Sequence, residues 1–190
     1  NIHNNSNTGL YSNNSTVTYT TGLIYDNGAE GLNFRRPSSG TSTITLNHLT
    51  IDNNTGDGIE VYRNSSSSYV LYLNLDNCSI THNDSAGVRD VSSSSYKVYF
   101  YCDHSNSWGN AGGNYTSTAA VDASCVQWNP LYADVDNRDY ELTLWSPNRG
   151  LGIGGTYIGA LDYDTSVGPY IMGFLWEDYT FTAAGSPHTV

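Results

Sequence analysis

Apolar and polar side chains alternate in short stretches along the first half of the chain. The stretches Val17-Thr18-Tyr19, Ile44-Thr45-Leu46 and Leu73-Asn74-Leu75 each place a polar residue between two apolar ones. A period of two is typical of a β-strand that is buried on one face, and the β-branched and aromatic residues here agree with it. No apolar stripe with the 3.6-residue period of a helix competes over a useful length. The pattern predicts one clear strand at each place.

These strands belong to a repeat of the form I-x-x-N-x-x-x-G followed by an aliphatic residue. It occurs four times, at steps of 22, 27 and 29 residues. Its members are the isoleucines Ile2, Ile24, Ile51 and Ile80, the asparagines Asn5, Asn27, Asn54 and Asn83, and the glycines Gly9, Gly31, Gly58 and Gly87. Such a step is too short for a domain and fits one coil of a solenoid.

We therefore predict an all-β fold, a right-handed parallel β-helix with coils of about 22–29 residues and a less regular C-terminal β segment. Equivalent residues of stacked coils lie about 4.8 Å apart, so the isoleucines form one internal ladder and the asparagines another. Asparagine side chains hydrogen-bond along such stacks. We interpret the repeated glycine as a turn that needs a positive φ angle.

The register of the repeat weakens beyond position 95. If Gly112 is the fifth glycine, Val98 and Phe100 fall at inward positions, although the isoleucine and asparagine places are then unfilled. Stacking Cys102 on Cys78 would instead turn Val98 outward. We favour the first register.

A different pattern begins at Trp108. It contains NPLYAD (Asn129–Asp134), DYEL (Asp139–Leu142), SP with a following glycine (Ser146–Gly150) and YIGALDY (Tyr157–Tyr163). This order resembles the C-terminal portion of secreted bacterial right-handed β-helix repeat proteins of the choice-of-anchor Q type, part of the pectate-lyase-like superfamily. There D-P-L-F-V-D-x-x-x-G-D-Y-x-L leads to S-P-x-x-x-x-G and then D-I-G-A-x-E-Y.

Three departures from that pattern are Asn129 for its first aspartate, Arg138 for its glycine and Tyr157 for the aspartate before I-G-A. With the upstream coils, the resemblance covers residues 2–164. It implies the fold and a secreted, cell-surface location, and it says almost nothing about activity.

The chain divides into three regions on this basis. Residues 1–107 are β-helix coils, residues 108–167 an irregular C-terminal capping segment, and residues 168–190 the start of a following module or a linking segment. Placed ahead of Asn1, Val190 would fall nine residues before the first repeat glycine, where later coils have apolar residues. We expect a piece of a longer or matured chain whose units continue into one another, as tandem modules or a head-to-tail polymer.

The amino-acid composition excludes some classes of binding partner. The net charge is −11 with only seven Lys and Arg residues, which disfavours nucleic acid and anionic membranes. No apolar run is long enough to span a membrane, so membrane insertion is not expected. The sequence favours other copies of the chain, and glycans, as partners.

The three cysteines, Cys78, Cys102 and Cys125, have neither C-x-x-C spacing nor histidine partners, which argues against a zinc site. Cys78 is interpreted as a small buried apolar residue. A disulfide between one pair stays open, and the odd number leaves at least one thiol free or bonded to another chain.

Candidate catalytic residues are few. Asp57 and Glu60 lie in a stretch, Asn54–Glu60, that loosely resembles the N-T-D-G-I-D element of polygalacturonases, but an extra glycine interrupts it and the other elements are absent. Arg63 is a separate candidate, a cation that would neutralise a uronate in lyase chemistry, although a solvated loop residue is the favoured interpretation. Hydrolysis of a glycosidic bond needs paired carboxylates. We favour a simpler explanation, an exposed ion pair between Glu60 and Arg89 of the next coil.

Two further sets of residues are candidate binding groups. Tyr72, Tyr99 and Tyr101 fall at outward positions, where aromatic rings contact sugars or other proteins. Asp134, Asp136 and Asp139 offer alternating oxygen ligands for Ca²⁺, the one cofactor we consider, but a structural turn is favoured because the spacing is not that of a calcium loop. The five histidines share no metal-ligand spacing and are interpreted as surface residues.

The sequence favours a non-catalytic extracellular structural module, one unit of a long surface protein or head-to-tail fibre. Exposed strand edges at the end of a solenoid would bring units together. The alternative is a polysaccharide-active lyase or hydrolase, or a glycan-binding β-helix protein.

Overall fold

The structure is a computed structural model that describes residues 1–13, 15–35, 40–62, 70–91, 98–116 and 120–162. Arg63, both serine runs and the predicted region 168–190 lie outside the described residues, so expectations for them stay predictions.

The described chain is all-β, as predicted, apart from two short 3₁₀ turns at Val135–Asn137 and Ile153–Gly155. The strands are β1 (Ile2–His3), β2 (Leu10–Asn13), β3 (Val17–Tyr25), β4 (Leu32–Arg35), β5 (Thr41–Asp52), β6 (Ile59–Tyr62), β7 (Val70–Asp76), β8 (Ser79–Thr81), β9 (Val88–Asp90), β10 (Val98–Asp103), β11 (Asn106–Trp108), β12 (Ala120–Val121), β13 (Tyr132–Asp134) and β14 (Asp139–Leu142).

Two parallel sheets contain the repeats. The long sheet has the order β1-β3-β5-β7-β10-β12, with β8 pairing both β5 and β11, and the short sheet has the order β2-β4-β6-β9. We number the repeats by these strands: repeat 1 holds β1 and β2, repeat 2 holds β3 and β4, repeat 3 holds β5 and β6, repeat 4 holds β7 to β9, and repeat 5 holds β10 and β11. Each strand therefore pairs with the equivalent strand of the next repeat.

The core lies between the inward faces of the two sheets. Ile2, Ile24, Ile51 and Ile80 are register partners in consecutive repeats, and the last three are fully buried. The inward residues of the short sheet, such as Leu32, Phe34 and Ile59, join the same apolar cluster. Burial of apolar side chains from every repeat holds the stack together.

A ladder of asparagine side chains runs beside this core. Asn5, Asn27, Asn54 and Asn83 each donate Nδ2–H to Oδ1 of the asparagine in the next repeat, over 2.8–2.9 Å, and the ladder ends on Asn110. Each Oδ1 also accepts the backbone N–H of the asparagine before it. The buried amides are thereby paired across the repeats, as buried polar groups must be.

The repeated glycines do not serve the purpose predicted for them. None of the four has a positive φ angle. A Cβ on Gly31 would lie 2.8 Å from the carbonyl oxygen of Gly58 and 2.9 Å from Asn54 Nδ2, and the other three are equally confined. The prediction of a positive φ is therefore wrong: glycine is required because the next repeat approaches too closely for a side chain.

Left-handed bends lie elsewhere, at two places in each of repeats 2 to 5 and at one place in repeat 1. One set is Thr21, His48, Asn77 and His104, and the second is Asn4, Asp26, Asn53, His82 and Gly109. Asn, Asp and His are the non-glycine residues that adopt this conformation most readily. Three of the histidines, His48, His82 and His104, are partly exposed and also form bends of the fold, a role that was not predicted for them.

The preferred register of repeat 5 is wrong by two residues. Val98 and Phe100 do point inward, but Val98 pairs with Leu71 and Phe100 with Leu73, not one step further along. Asn114, not Gly112, takes the place of the ladder glycine, since its carbonyl accepts the N–H of Val88. The register was missed because the prediction required a glycine at this position of every repeat.

Residues 128–162 lie against the outer face of the long sheet. Arg138 Nε contacts Asp26 Oδ2 at 2.6 Å in repeat 2, and the Gly159 N–H donates to the Asn77 carbonyl in repeat 4. Asn148, fully buried, bonds to Ser79 and Asn106. The segment thus covers repeats 2 to 5 from the side. No helix within the described ranges is long and apolar enough to cross a membrane.

Candidate functional site: a tyrosine-lined acidic groove

Three tyrosine rings lie together on the outer face of the long sheet. Tyr72 on β7 pairs in register with Tyr99 on β10, and their ring centroids are 5.1 Å apart with an interplanar angle of 20°. Tyr101 lies 6.4 Å from Tyr72 at 12° and is half exposed. The three residues singled out from sequence thus form one aromatic surface with nearly parallel rings.

A groove of about 590 Å³ adjoins this surface. Its lining residues are Thr45, Asn74, Asp76, Tyr101, Cys102, Asp103, Val121, Asp122 and Ala123. Thr45, Asn74 and Tyr101 are register partners on β5, β7 and β10, so the floor of the groove is a row of outward side chains across three repeats. Among the described residues that line the groove, three are aspartates and none is lysine or arginine.

The aspartates form a second row beside the first. Asp76 and Asp103 are register partners. Asp122 belongs to the layer after Asp103, and its N–H donates to the Cys102 carbonyl. Burial, followed by the neighbouring Asp103 carboxylate, raises the pKa of Asp76. The hydrogen bonds from the Ser124 backbone and hydroxyl lower the pKa of Asp122. At Asp76, burial and the neighbouring carboxylate therefore disfavour the charged form, at a cost to the fold.

Asp103 is held in place by its neighbours. Its Oδ1 accepts the Ser124 hydroxyl at 2.7 Å and lies 2.5 Å from His104 Nδ1. Ring faces beside fixed carboxylate and amide groups suit a sugar, whose C–H groups stack on the rings while its hydroxyls donate to the carboxylates. The acidic row repels uronates, so the groove suits neutral or amino sugars.

The candidate catalytic carboxylates form an ion-pair cluster on the short sheet. Asp57 is fully buried, with Oδ2 at 2.6 Å from Arg89 Nε, while Glu60 Oε2 accepts Arg89 Nη2–H at 2.9 Å. Asn33 donates to Glu60 Oε1, and Arg35 Nη2 lies 3.6 Å from the same atom. Glu60 is level with Arg89, as predicted, but the pair is corrected from exposed to largely buried on the glutamate side.

The Arg89 guanidinium pairs with both the Asp57 and the Glu60 carboxylate. Asp57 Oδ2 and Arg89 Nε are both buried and form an ion pair, but neither atom makes a well-aligned hydrogen bond. A general acid or base must reach a substrate atom, whereas Asp57 is sealed from solvent. The cluster joins repeats 2, 3 and 4. Arg63, the third candidate, lies outside the described residues.

A second buried polar cluster lies beneath residues 128–162. The Asp52 carboxylate, fully buried, accepts Thr81 Oγ1–H at 2.6 Å and Tyr140 OH at 3.1 Å and lies 2.7 Å from His82 Nδ1. Burial and the nearby Asp52 charge raise the pKa of Tyr140 and of Tyr132. These contacts attach the C-terminal segment to repeats 3 and 4, and sequence reasoning did not find them.

The calcium candidates belong to a turn. Asp134 accepts the backbone N–H and the side-chain amide of Asn137, capping the first 3₁₀ turn, and Asp139 accepts the N–H of Glu141. Arg138 has φ 63°, the left-handed conformation that suits the glycine of the resembled motif. In the described part of the chain no group of three or more His, Cys, Asp or Glu side chains is placed to hold a metal ion.

The acidic row of the groove could have been found in part from sequence. Asp76 lies eleven residues before its ladder glycine, at an outward place, and Asp103 lies eleven before Asn114. The misplaced register of repeat 5 separated the two aspartates. Asp122 had no repeat signal, because its layer departs from the pattern.

Comparison of the chain with protein-family models, with curated proteins and with solved structures finds no match in any of the three. The resemblance to choice-of-anchor Q proteins therefore remains a prediction.

Proposed function

We propose that the two parallel sheets wind as a right-handed parallel β-helix and that the chain is a non-catalytic, extracellular structural module. In this proposal modules stack end to end as units of a cell-surface protein or fibre. The supporting observation is the exposed edge of repeat 1. Among the described residues, β1 and β2 pair on one side only.

The edge of repeat 1 carries the groups that join repeats elsewhere. Ile2 and Leu10 of repeat 1 pack against the core but are only partly buried, and so are Val17 and Tyr19 in the part of β3 of repeat 2 that β1 does not cover. The inward residues of repeats 3 and 4 are fully buried. In every other repeat the ladder Oδ1 accepts from the repeat before it. Within the described residues no group donates to Asn5 Oδ1, so it is the acceptor that a further layer would use.

The proposed occupant of this edge is a strand layer from a second copy of the chain. A parallel edge with free N–H and C=O groups is a template for a further strand, and a copy of this chain has matching repeat spacing. Stacking would bury the remaining surface of the four half-buried residues and extend the asparagine ladder across the junction.

Light scattering and electron microscopy of the 190-residue chain test this proposal. Wild type should associate as its concentration rises, and Asn5→Lys should stay monomeric because a charge would lie in the ladder. Asn7→Lys is the matched control, since Asn7 is exposed and the charge change is the same. Equal association of both variants, or a monomeric wild type, contradicts the proposal.

The groove supports a second candidate function, binding of neutral or amino sugars. The observation behind it is the tyrosine surface beside the row of Asp76, Asp103 and Asp122. Titration calorimetry with neutral, amino and uronate oligosaccharides tests it. Tyr101→Ala should abolish binding, whereas Tyr11→Ala, which removes a similarly exposed ring on the short sheet, should not. Binding confined to uronates, or equal loss in both variants, argues against the groove.

A further inference from the structure

Two cysteines meet where the fifth repeat joins the last described layer. Cys102 Sγ and Cys125 Sγ are 2.9 Å apart, closer than the ordinary contact distance of two non-bonded sulfur atoms. Cys78, the third cysteine, is fully buried and its thiol donates to the Asp76 carbonyl. All three are free thiols in the structure.

The fold holds this pair from both sides. Cys102 is an inward residue of β10 and is the register partner of Val121 on β12. Cys125 lies in a turn after β12, where its own N–H donates to the Asp122 carbonyl. The next residue, Val126, forms a parallel β-bridge with Asn106. Backbone pairing on either side of Cys125 therefore fixes its sulfur against the preceding layer.

We propose that Cys102 and Cys125 form a disulfide that fastens the last described layer to repeat 5, and that Cys78 remains a thiol. The choice of pair follows from geometry, since 102 and 125 are the two sulfurs in contact.

The two thiols have different roles in forming the bond. Cys125 is half-buried and reachable, and the hydrogen bond from Cys102 lowers its thiol pKa against the opposing effect of burial. The same contact, with burial, raises the pKa of Cys102. Since the thiolate is the attacking species and access limits the rate, Cys125 reacts first with the oxidant, a low-molecular-weight disulfide.

The electrons and atoms balance over two exchanges. The Cys125 thiolate attacks one sulfur of the small disulfide, forms a mixed disulfide and expels one small thiolate. Cys102 then loses its proton, its thiolate attacks Cys125 Sγ, and the second small thiolate leaves. The protein is oxidised by two electrons and the small disulfide is reduced to two thiols.

The bond would also shape the groove. Cys102, Val121 and Asp122 line it, and β12 reaches it only through its pairing with β10. Fastening Cys125 to Cys102 therefore fixes the wall that carries Asp122. In the reduced chain this wall is held by backbone pairing of β12 with β10 alone.

The experiment oxidises the 190-residue chain with oxidised glutathione, then combines intact mass, alkylation under denaturing conditions and peptide mapping. The expected product is about 2 Da lighter than the reduced chain, has one alkylatable thiol at Cys78, and contains a peptide that joins 102 to 125. Its Tm should exceed that of the reduced chain by roughly 5–10 °C. Three remaining thiols, or a bond that includes Cys78, would overturn the proposal.

Variants separate the roles. Cys102→Ser should accumulate a glutathione adduct on Cys125, because the second exchange is blocked, whereas Cys125→Ser should take up little glutathione at the buried Cys102. Cys78→Ser is the matched control and should still lose two hydrogens. Loss of the bond in Cys78→Ser, or equal adducts in the other two, would contradict the assignment.

Discussion

Asn54 donates its side-chain amide to Asn83 Oδ1 over 2.9 Å, and both side chains are buried. The same oxygen accepts the Asn54 backbone N–H, so one carboxamide satisfies two donors of the previous repeat. Five asparagines linked in this way fix the register of all five repeats. The ladder is thus a specific stabilising element, in addition to the apolar core.

Asn54→Ala should lower the free energy of unfolding by about 2–4 kcal/mol. It removes the acceptor of the Asn27 N–H and Nδ2–H groups, which are buried and would be left unsatisfied. Urea unfolding measures the change. Asn7→Ala, at an exposed position, is the control and should be nearly neutral. Equal effects would show that the ladder adds nothing to stability.

Gly58→Ala should cost about 2–3 kcal/mol, because its Cβ would lie 2.8 Å from the Gly87 carbonyl oxygen and 2.7 Å from Ile80 Cγ2. Gly40→Ala is the comparison, since Gly40 has φ +73° and open space around it; its cost should be about 1 kcal/mol. Thermal unfolding of both variants decides between the two reasons for a glycine. If Gly58→Ala is the milder change, close approach is not the reason.

Arg89→Met should destabilise the fold by about 3 kcal/mol, since it leaves the buried Asp57 and Glu60 carboxylates without their shared guanidinium. Arg35→Met, at the edge of the same cluster, should cost less than about 1 kcal/mol, because Arg35 Nη2 lies 3.6 Å from Glu60 Oε1 and does not contact the buried Asp57 carboxylate as Arg89 does. Denaturant unfolding near pH 7 compares them. A smaller loss in Arg89→Met than in Arg35→Met would contradict the described network.

Asp76→Asn should stabilise the protein near pH 7 and have no effect in strong acid. The pKa of Asp76 is raised above its ordinary value of 3.8, so the folded state binds more protons than the unfolded state between the two values. The free energy of unfolding therefore falls as pH rises through this window, and the cost persists above it. Asparagine removes that cost.

The check on Asp76→Asn is Tm measured at pH 7 and at about pH 3, below the unfolded pKa. The variant should melt higher at pH 7 and together with wild type at pH 3. A lower Tm at pH 7 would show that the carboxylate stabilises the fold. If Asp76→Asn also weakens sugar binding, a carboxylate kept at a cost to stability has a role in the groove.

Much of the fold could be predicted from the sequence because the repeat contains residues that few other side chains can replace. Ile51 and Asn54 recur since each must pack or bond to an equivalent residue in the next repeat. The reason for Gly58 did not follow, because a turn and a close approach both favour glycine. The backbone of Gly58, which lacks a positive φ, and its close approach to Gly87 distinguish them.

The candidate sites were harder to predict, because several of their contacts join residues that are not at equivalent positions of the repeat. Tyr72 and Tyr99 were both predicted to face outward, but the favoured register set them two residues apart, so their pairing was not predicted. The cluster of Asp52 with Tyr140 could not be predicted, because 88 residues separate the two and nothing in the spacing brings them together. Asp103 was missed for a smaller reason, a fifth repeat whose glycine is replaced by Asn114.

The central claim is that the open edge of repeat 1 receives a layer from another copy of the chain. Electron microscopy of the concentrated 190-residue chain, paired with intact mass, tests it most directly. We predict unbranched filaments of non-covalently joined units with an axial repeat of at least about 30 Å, because the described part of the long sheet has six layers at a spacing of about 4.8 Å. Single compact particles of one chain's mass at every concentration would contradict the claim.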